Sequence, residues 1–197
     1  MKILLVSDRE DPYIWDHFDR ERFAGIDLVI SSGDLKNDYL SFLVTMISVP
    51  LFYVPGNHDT EYLTNPPEGC ESIDGRLVTY KGKRILGLGG SFCYSNQEFQ
   101  YDDRQMEKRI RKLRYPLWKN HGFDILVTHA PAFGVGDGDD LCHRGFKAFN
   151  NLMDKYRPKY FIHGHQHLNY KRQPRIQVYS STTVINAYGY YILDIPD

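Results

Sequence analysis

Five short runs of apolar, largely β-branched residues, at positions 3–7, 28–31, 51–54, 125–128 and 160–163, each break off into a cluster of polar residues or glycine. Each run reads as a buried strand. Between several of them the apolar period changes to that of a helix: over 39–46, over about 102–114 with Met106, Ile110, Leu113 and Leu117 on one face, and over about 145–156 with Phe146, Phe149, Leu152, Met153 and Tyr156. Residues 77–80 and 85–88 flank Lys81-Gly82-Lys83 as a hairpin, and 176–180 and 188–195 close the chain as strands. Alternating strands and helices followed by antiparallel pieces predict a layered α/β fold with a mixed sheet.

The 197 residues suit one domain over 1–197, since no linker, repeat or composition shift divides them. A domain of this size buries roughly 70% of the surface of its unfolded chain, enough to fold without disulfides. With 42% apolar and 25% charged residues the chain is neither disordered nor fibrous. Its 24 basic and 25 acidic residues leave a formal charge of −1, which gives no broad attraction to nucleic acid or anionic membrane. The basic stretch 108–114 keeps helical spacing and reads as a solvated helix face. Cys70, Cys93 and Cys142 form no C-x-x-C pair, which argues against a disulfide framework or thiolate zinc site and for a reducing compartment. The first apolar run is too short for a signal-peptide core, and no segment approaches membrane-spanning length, so a cytoplasmic protein is expected.

The strand ends carry the chemistry. They run into Asp8-x-Glu10, Gly33-Asp34, Gly56-Asn57-His58-Asp59, Thr128-His129-Ala130-Pro131 and Gly164-His165-Gln166-His167. Ligands of α/β sheets collect outside the carboxyl ends of strands, so these five ends can converge on one site. Carboxylate, amide and imidazole without thiolate suit Mn, Fe, Zn or Mg. Taken singly, Gly33-Asp34 or Asn57-His58 would be an ordinary turn, and it is the ordered set that points to metal.

That ordered series, Asp8…Gly33-Asp34…Gly56-Asn57-His58-Asp59…His129…Gly164-His165-x-His167, resembles the calcineurin-like metallophosphoesterase superfamily. The resemblance implies a four-layer αββα sandwich with two mixed sheets and a site for two divalent metal ions. It implies that Asp34 bridges them, that one takes Asp8, residue 10 and His167, and that the other takes Asn57, His129 and His165. It further implies that a hydroxide between the metals attacks phosphorus in line while His58, not a ligand, serves the leaving group as catalytic acid. The substrate would be a small phosphorylated molecule, with a phosphodiester favoured.

The family's first motif is usually Asp-x-His, and Glu10 stands here in place of that histidine. If Glu10 binds, a third carboxylate lowers the charge of the centre and shifts preference toward Mn²⁺, Fe²⁺ or Mg²⁺ over Zn²⁺, with manganese favoured. Otherwise Glu10 lies outside the ligand shell and the first metal is held weakly. The competing reading is a scaffold for protein interaction, for which Glu10 is the one spokesman. Arg144, after the Gly/Asp-rich stretch 133–140, and Tyr94, in the stretch 91–96, are candidate substrate contacts. Asp59 reads as a solvated turn carboxylate, and His163 as structural.

Overall fold

The computed structural model describes residues 1–95, 97–168 and 174–196, so Asn96 at the end of the 91–96 stretch lies outside the described residues. Within them, two large mixed sheets lie face to face. The first has the order β13 (Gly189–Asp194), β1 (Lys2–Ser7), β2 (Leu28–Ser31), β3 (Leu51–Tyr53) and β4 (Glu71–Ser72); β1 to β4 run parallel and β13 opposes β1. The second has the order β11 (Ile176–Tyr179), β12 (Thr182–Asn186), β10 (Tyr160–His163), β9 (Ile125–Thr128), β6 (Lys83–Leu88) and β5 (Arg76–Tyr80), with four parallel strands inside two antiparallel edges. A short pair, β7 (Ser91–Phe92) and β8 (Gln100–Tyr101), stands apart.

The continuous apolar runs follow from these layers. Ile3 and Leu5 of β1 and Leu28 and Ile30 of β2 face Ile125, Val127 and Ile162 of the other sheet in the central core. The alternate residues Leu4, Val6 and Val29 face outward and are buried all the same, under α1 (Pro12–Trp15) and α2 (Asn37–Ile47). On the far side Leu86, Leu126 and Phe161 pack beneath α3 (Asp103–Lys112), α4 (Arg114–Lys119) and α5 (Lys147–Tyr156). A strand covered on both faces has no polar positions to alternate with, and four layers result.

Some boundaries differ from the sequence expectation for physical reasons. The helix expected over 102–114 begins as read, with Asp102 and Gln105 forming a reciprocal capping box, but ends at Lys112. Pro116 is the cause: continued helix would drive its ring into the carbonyl of residue 112, so the chain turns at Leu113 and restarts as α4. Leu113 and Leu117 still reach the same core as Met106. Strand β12 escaped the sequence reading although four of its five residues are β-branched, and it lies inside the second sheet. The stretch 108–114 is not wholly a solvated face, because Arg109 reaches back, its Nη2 donating to both oxygens of Asp74, and stacks on Tyr101.

Candidate metal centre

The carboxyl ends of β1, β2 and β3 in one sheet and β9 and β10 in the other open at the same edge of the sandwich. Backbone bonds tie neighbouring ends together, Asp8 N–H to Gly33 O at 3.1 Å and Gly164 N–H to His129 O at 2.9 Å. Across the sheets, the Asp8 carboxylate accepts the backbone N–H of His165 at 2.9 and 3.0 Å. Two of the motif glycines are there for space. A Cβ on Gly56 would sit 2.0 Å from Asp34 Oδ1, and one on Gly164 would sit 1.9 Å from Ser7 Oγ and 2.6 Å from Asp8 Oδ2. Asp8, Asp34 and His165 are all left-handed, with φ of 63°, 56° and 66°. That backbone region costs a non-glycine residue about 1–2 kcal/mol, and such strain collects where side chains must be aimed.

His129 Nε2 is the centre of the arrangement. Asn57 Oδ1 lies 3.1 Å from it, His165 Nδ1 3.0 Å and Asp34 Oδ2 3.3 Å. The opposite ring nitrogens are committed: His129 Nδ1 donates to Ser32 O at 2.7 Å and His165 Nε2 donates to Cys142 O at 2.7 Å. Those bonds fix the tautomers and turn a bare nitrogen of His165 inward. Asn57 is oriented likewise, its Nδ2 donating to Tyr94 Oη at 3.1 Å, which leaves the amide oxygen facing the imidazoles. One proton on His129 can serve only one of three acceptors, whereas a cation among them serves all four atoms at once. These donors therefore fit a divalent metal. The ligand atoms of Asp34, His129 and His165 all lie within 4.8 Å of one another.

The electrostatics agree. Burial opposes a charged His129, yet the Asp34 and Asp8 carboxylates hold its pKa up at about 9. Burial also works against an ionised Asp34, but the His129 imidazolium beside it keeps that carboxyl well below the usual range. Burial is the main reason Asp8 is raised, with Asp34 adding to it. Burial and the neighbouring His129 keep His165 neutral. A site that pulls a proton onto a fully buried imidazole attracts any cation, and a divalent ion competes for the same place.

The remaining sequence candidates fall around this cluster. His167 Nε2 is 4.0 Å from Asp8 Oδ1. Glu10 lines a cleft of about 460 Å³ together with Asp8, Asp34, Lys36 and His58, and its carboxylate lies 3.9 Å from Lys36 Nζ. His58 is exposed to that cleft, its backbone N–H donating to Asp34 Oδ1 at 2.9 Å. Tyr94 meets the cluster through Asn57. Arg144 lies over the rings of Phe92 and Phe133, 4.8 and 5.3 Å from their centroids, with its Nε buried and without a hydrogen-bond partner among the described residues. His163 is buried beneath, donating from Nδ1 to Gly164 O at 2.9 Å.

Asp59 is a correction. It is only 5% exposed, and one of its oxygens accepts the backbone N–H of both Asp34, at 2.8 Å, and Gly56, at 2.7 Å. It is not a solvated turn carboxylate but the peg that fastens the β2 and β3 loops together. Burial and the nearby Asp34 push its pKa up to about 6. The Ser32 and Cys142 carbonyls that orient the two imidazoles left no trace in the sequence, because every residue has a carbonyl.

A family model described as calcineurin-like phosphoesterase matches residues 1–169. The chain belongs to the calcineurin-like phosphoesterase family. Members of this family are metal-dependent phosphoesterases, and the donor cluster is this chain's candidate metal-binding site. Among solved structures, the chain is similar to TT1561 of Thermus thermophilus, with TM-score 0.66 and 17% identity over 95% of this chain and 89% of that one. It is also similar to GAP50, the anchor in the inner membrane complex of Plasmodium, with TM-score 0.56 and 15% identity over 94% and 70% of the two chains. A 5′-nucleotidase from Candida albicans gives TM-score 0.55 and 13% identity over 94% of this chain and 45% of that one. At such identities these likenesses speak for the fold. No curated protein matches the sequence. No described helix is long and apolar enough to cross a membrane.

Proposed function

We propose that this single-domain calcineurin-like phosphoesterase hydrolyses a small phosphodiester with two divalent cations, manganese favoured, held at the strand ends. The observation that carries the reading is the convergence of Asp34 Oδ2, Asn57 Oδ1 and His165 Nδ1 on His129 Nε2, each 3.0–3.3 Å away. Asn57, His129 and His165 would hold one cation, Asp8, His167 and Glu10 the other, and Asp34 both. The cations supply Lewis-acid activation of water and neutralise phosphoryl charge.

The chain's own residues do the rest. Asp59 and Gly56 keep Asp34 aimed inward, and the Ser32 and Cys142 carbonyls hold both imidazoles so that His165 Nδ1 and His129 Nε2 face the ligand, the latter giving up its proton when a cation binds. His58, exposed at the cleft wall, donates its proton to the departing ester oxygen, which suits a leaving group that must be protonated as it leaves. Lys36 on the same wall attracts the anionic substrate. The cleft, of about 460 Å³, has room for a small phosphoester.

A scaffold reading retains one support, the Glu10 carboxylate near Lys36 rather than among the grouped donors. One experiment separates the two. Metal-free protein loaded with Mn²⁺ is assayed on a dinucleoside monophosphate, whose alkoxide leaving group needs a proton, beside His58→Ala. Turnover that requires metal and falls about a hundredfold or more in the variant is expected for a lost general acid. Equal background in both proteins would sink the enzyme reading.

A further inference from the structure

A second concavity, of about 520 Å³, begins one residue away from two of the candidate ligands, since Arg9 follows Asp8 and Leu168 follows His167. Arg9 lines both this pocket and the metal-site cleft, and the His167 ring packs on Tyr188 at 4.9 Å, so the two spaces share a wall. Arg22 and Arg175 line it as well, so that among the described residues three arginines and one carboxylate, Asp11, border the space.

Each of these arginines is presented differently, and among the described residues none is ion-paired with a carboxylate. Arg175 is half-buried and anchored by backbone, its Nη1 donating to Asn186 O and Tyr188 O at 3.0 Å each. Arg22 donates to the Tyr190 hydroxyl and lies over the rings of Tyr13 and Tyr190, 5.6 and 5.4 Å from their centroids. Arg9 is exposed between the two spaces. In a chain of net charge −1, three guanidiniums around one carboxylate are a local excess of positive charge, which repels itself until an anion enters. Planar guanidiniums with rigid aromatic backing suit the bidentate recognition of a phosphate better than of a point charge.

We propose that this pocket binds a second, non-scissile phosphate of the substrate, so that the substrate class is a small phosphoester carrying a further phosphate group beside the ester that is cleaved. The proposal deepens the phosphoesterase reading and rests on it for what happens at the neighbouring cleft. Binding by the pocket is tested without turnover. Metal-free protein is titrated calorimetrically with inorganic pyrophosphate, using wild type, Arg22→Ala, Arg22→Lys and His58→Ala. Arg22 is exposed, so its variants keep the core intact. The expected result is binding that weakens about tenfold or more in Arg22→Ala, is partly restored in Arg22→Lys, and persists in His58→Ala. No binding by wild type, equal binding by Arg22→Ala, or loss in His58→Ala would overturn the proposal, the last because the anion would then sit in the metal cleft.

With Mn²⁺ present, thymidine 5′-(p-nitrophenyl phosphate) is compared with and without a 3′-phosphate. Arg22→Ala should lower kcat/KM for the 3′-phosphorylated form about tenfold relative to the other, mainly through KM. An unchanged ratio counts against the pocket. If neither ester is cleaved, the phosphoesterase reading fails while the pyrophosphate titration still decides whether the pocket binds phosphate.

Discussion

Replacing Asp59 with alanine strips the acceptor from two backbone N–H groups, those of Asp34 and Gly56, which one carboxylate oxygen holds at 2.8 and 2.7 Å. A buried donor left unsatisfied costs about 1–3 kcal/mol, so the pair sets a range of about 2–6 kcal/mol. Asp59 also borders the cleft, where water can enter the space left by the carboxylate, and this favours the low end, about 2–3 kcal/mol. For a domain of this length that amounts to a fall in Tm of about 5–10 °C, and a protein with about 5–15 kcal/mol in hand stays folded. Asp34 would lose its aim together with its tether, so Mn²⁺ affinity should drop as well. Asp59→Asn keeps an oxygen in the same place and should lose less than about 1 kcal/mol. Urea unfolding followed by circular dichroism, with calorimetric Mn²⁺ titration of the three proteins, reads both effects. An alanine variant within about 0.5 kcal/mol of wild type with unchanged metal affinity, or an asparagine variant as weak as alanine, would refute the tether argument.

Gly164→Ala should cripple metal binding more than any surface change, because its Cβ would lie 1.9 Å from Ser7 Oγ and 2.6 Å from Asp8 Oδ2, and the strand ends must part to admit it; a variant that binds Mn²⁺ as tightly as wild type would count against the close-approach reading. Away from the site, Arg84 bonds the Asp124 carboxylate through Nε and Nη2 and lowers its pKa. A depressed carboxyl lends stability that is present above its ordinary value of 3.8 and is lost as pH falls toward the folded pKa. Arg84→Met should therefore flatten the acid limb of a urea-midpoint profile below about pH 4, and an unaltered limb would show that the pair contributes nothing.

The amino-acid sequence by itself determined most of the strands and the types and order of the candidate donors. Runs such as Leu28–Ser31 are apolar at nearly every position because both faces are covered, a signal that is local and strong. Asp8, Asp34, Asn57, His129 and His165 were legible because each stands just after such a run, and strand ends are where α/β sheets gather ligands. β12 was missed because it follows β11 after a tight turn at Ser180, and its place inside the sheet, one strand from the edge, depends on pairing with β10. Only the tertiary structure decided what each polar group does. Asp59 could not be told from a solvated turn residue until burial put two backbone donors on one of its oxygens. Glu10 and His58 came to one cleft, while Arg144 was drawn over two aromatic rings. The arginine pocket joins Arg9, Arg22 and Arg175 from distant parts of the chain, and no spacing could announce it. Side-chain type and alternation are written locally, whereas burial, pairing and the direction of a lone pair depend on what the rest of the fold brings alongside.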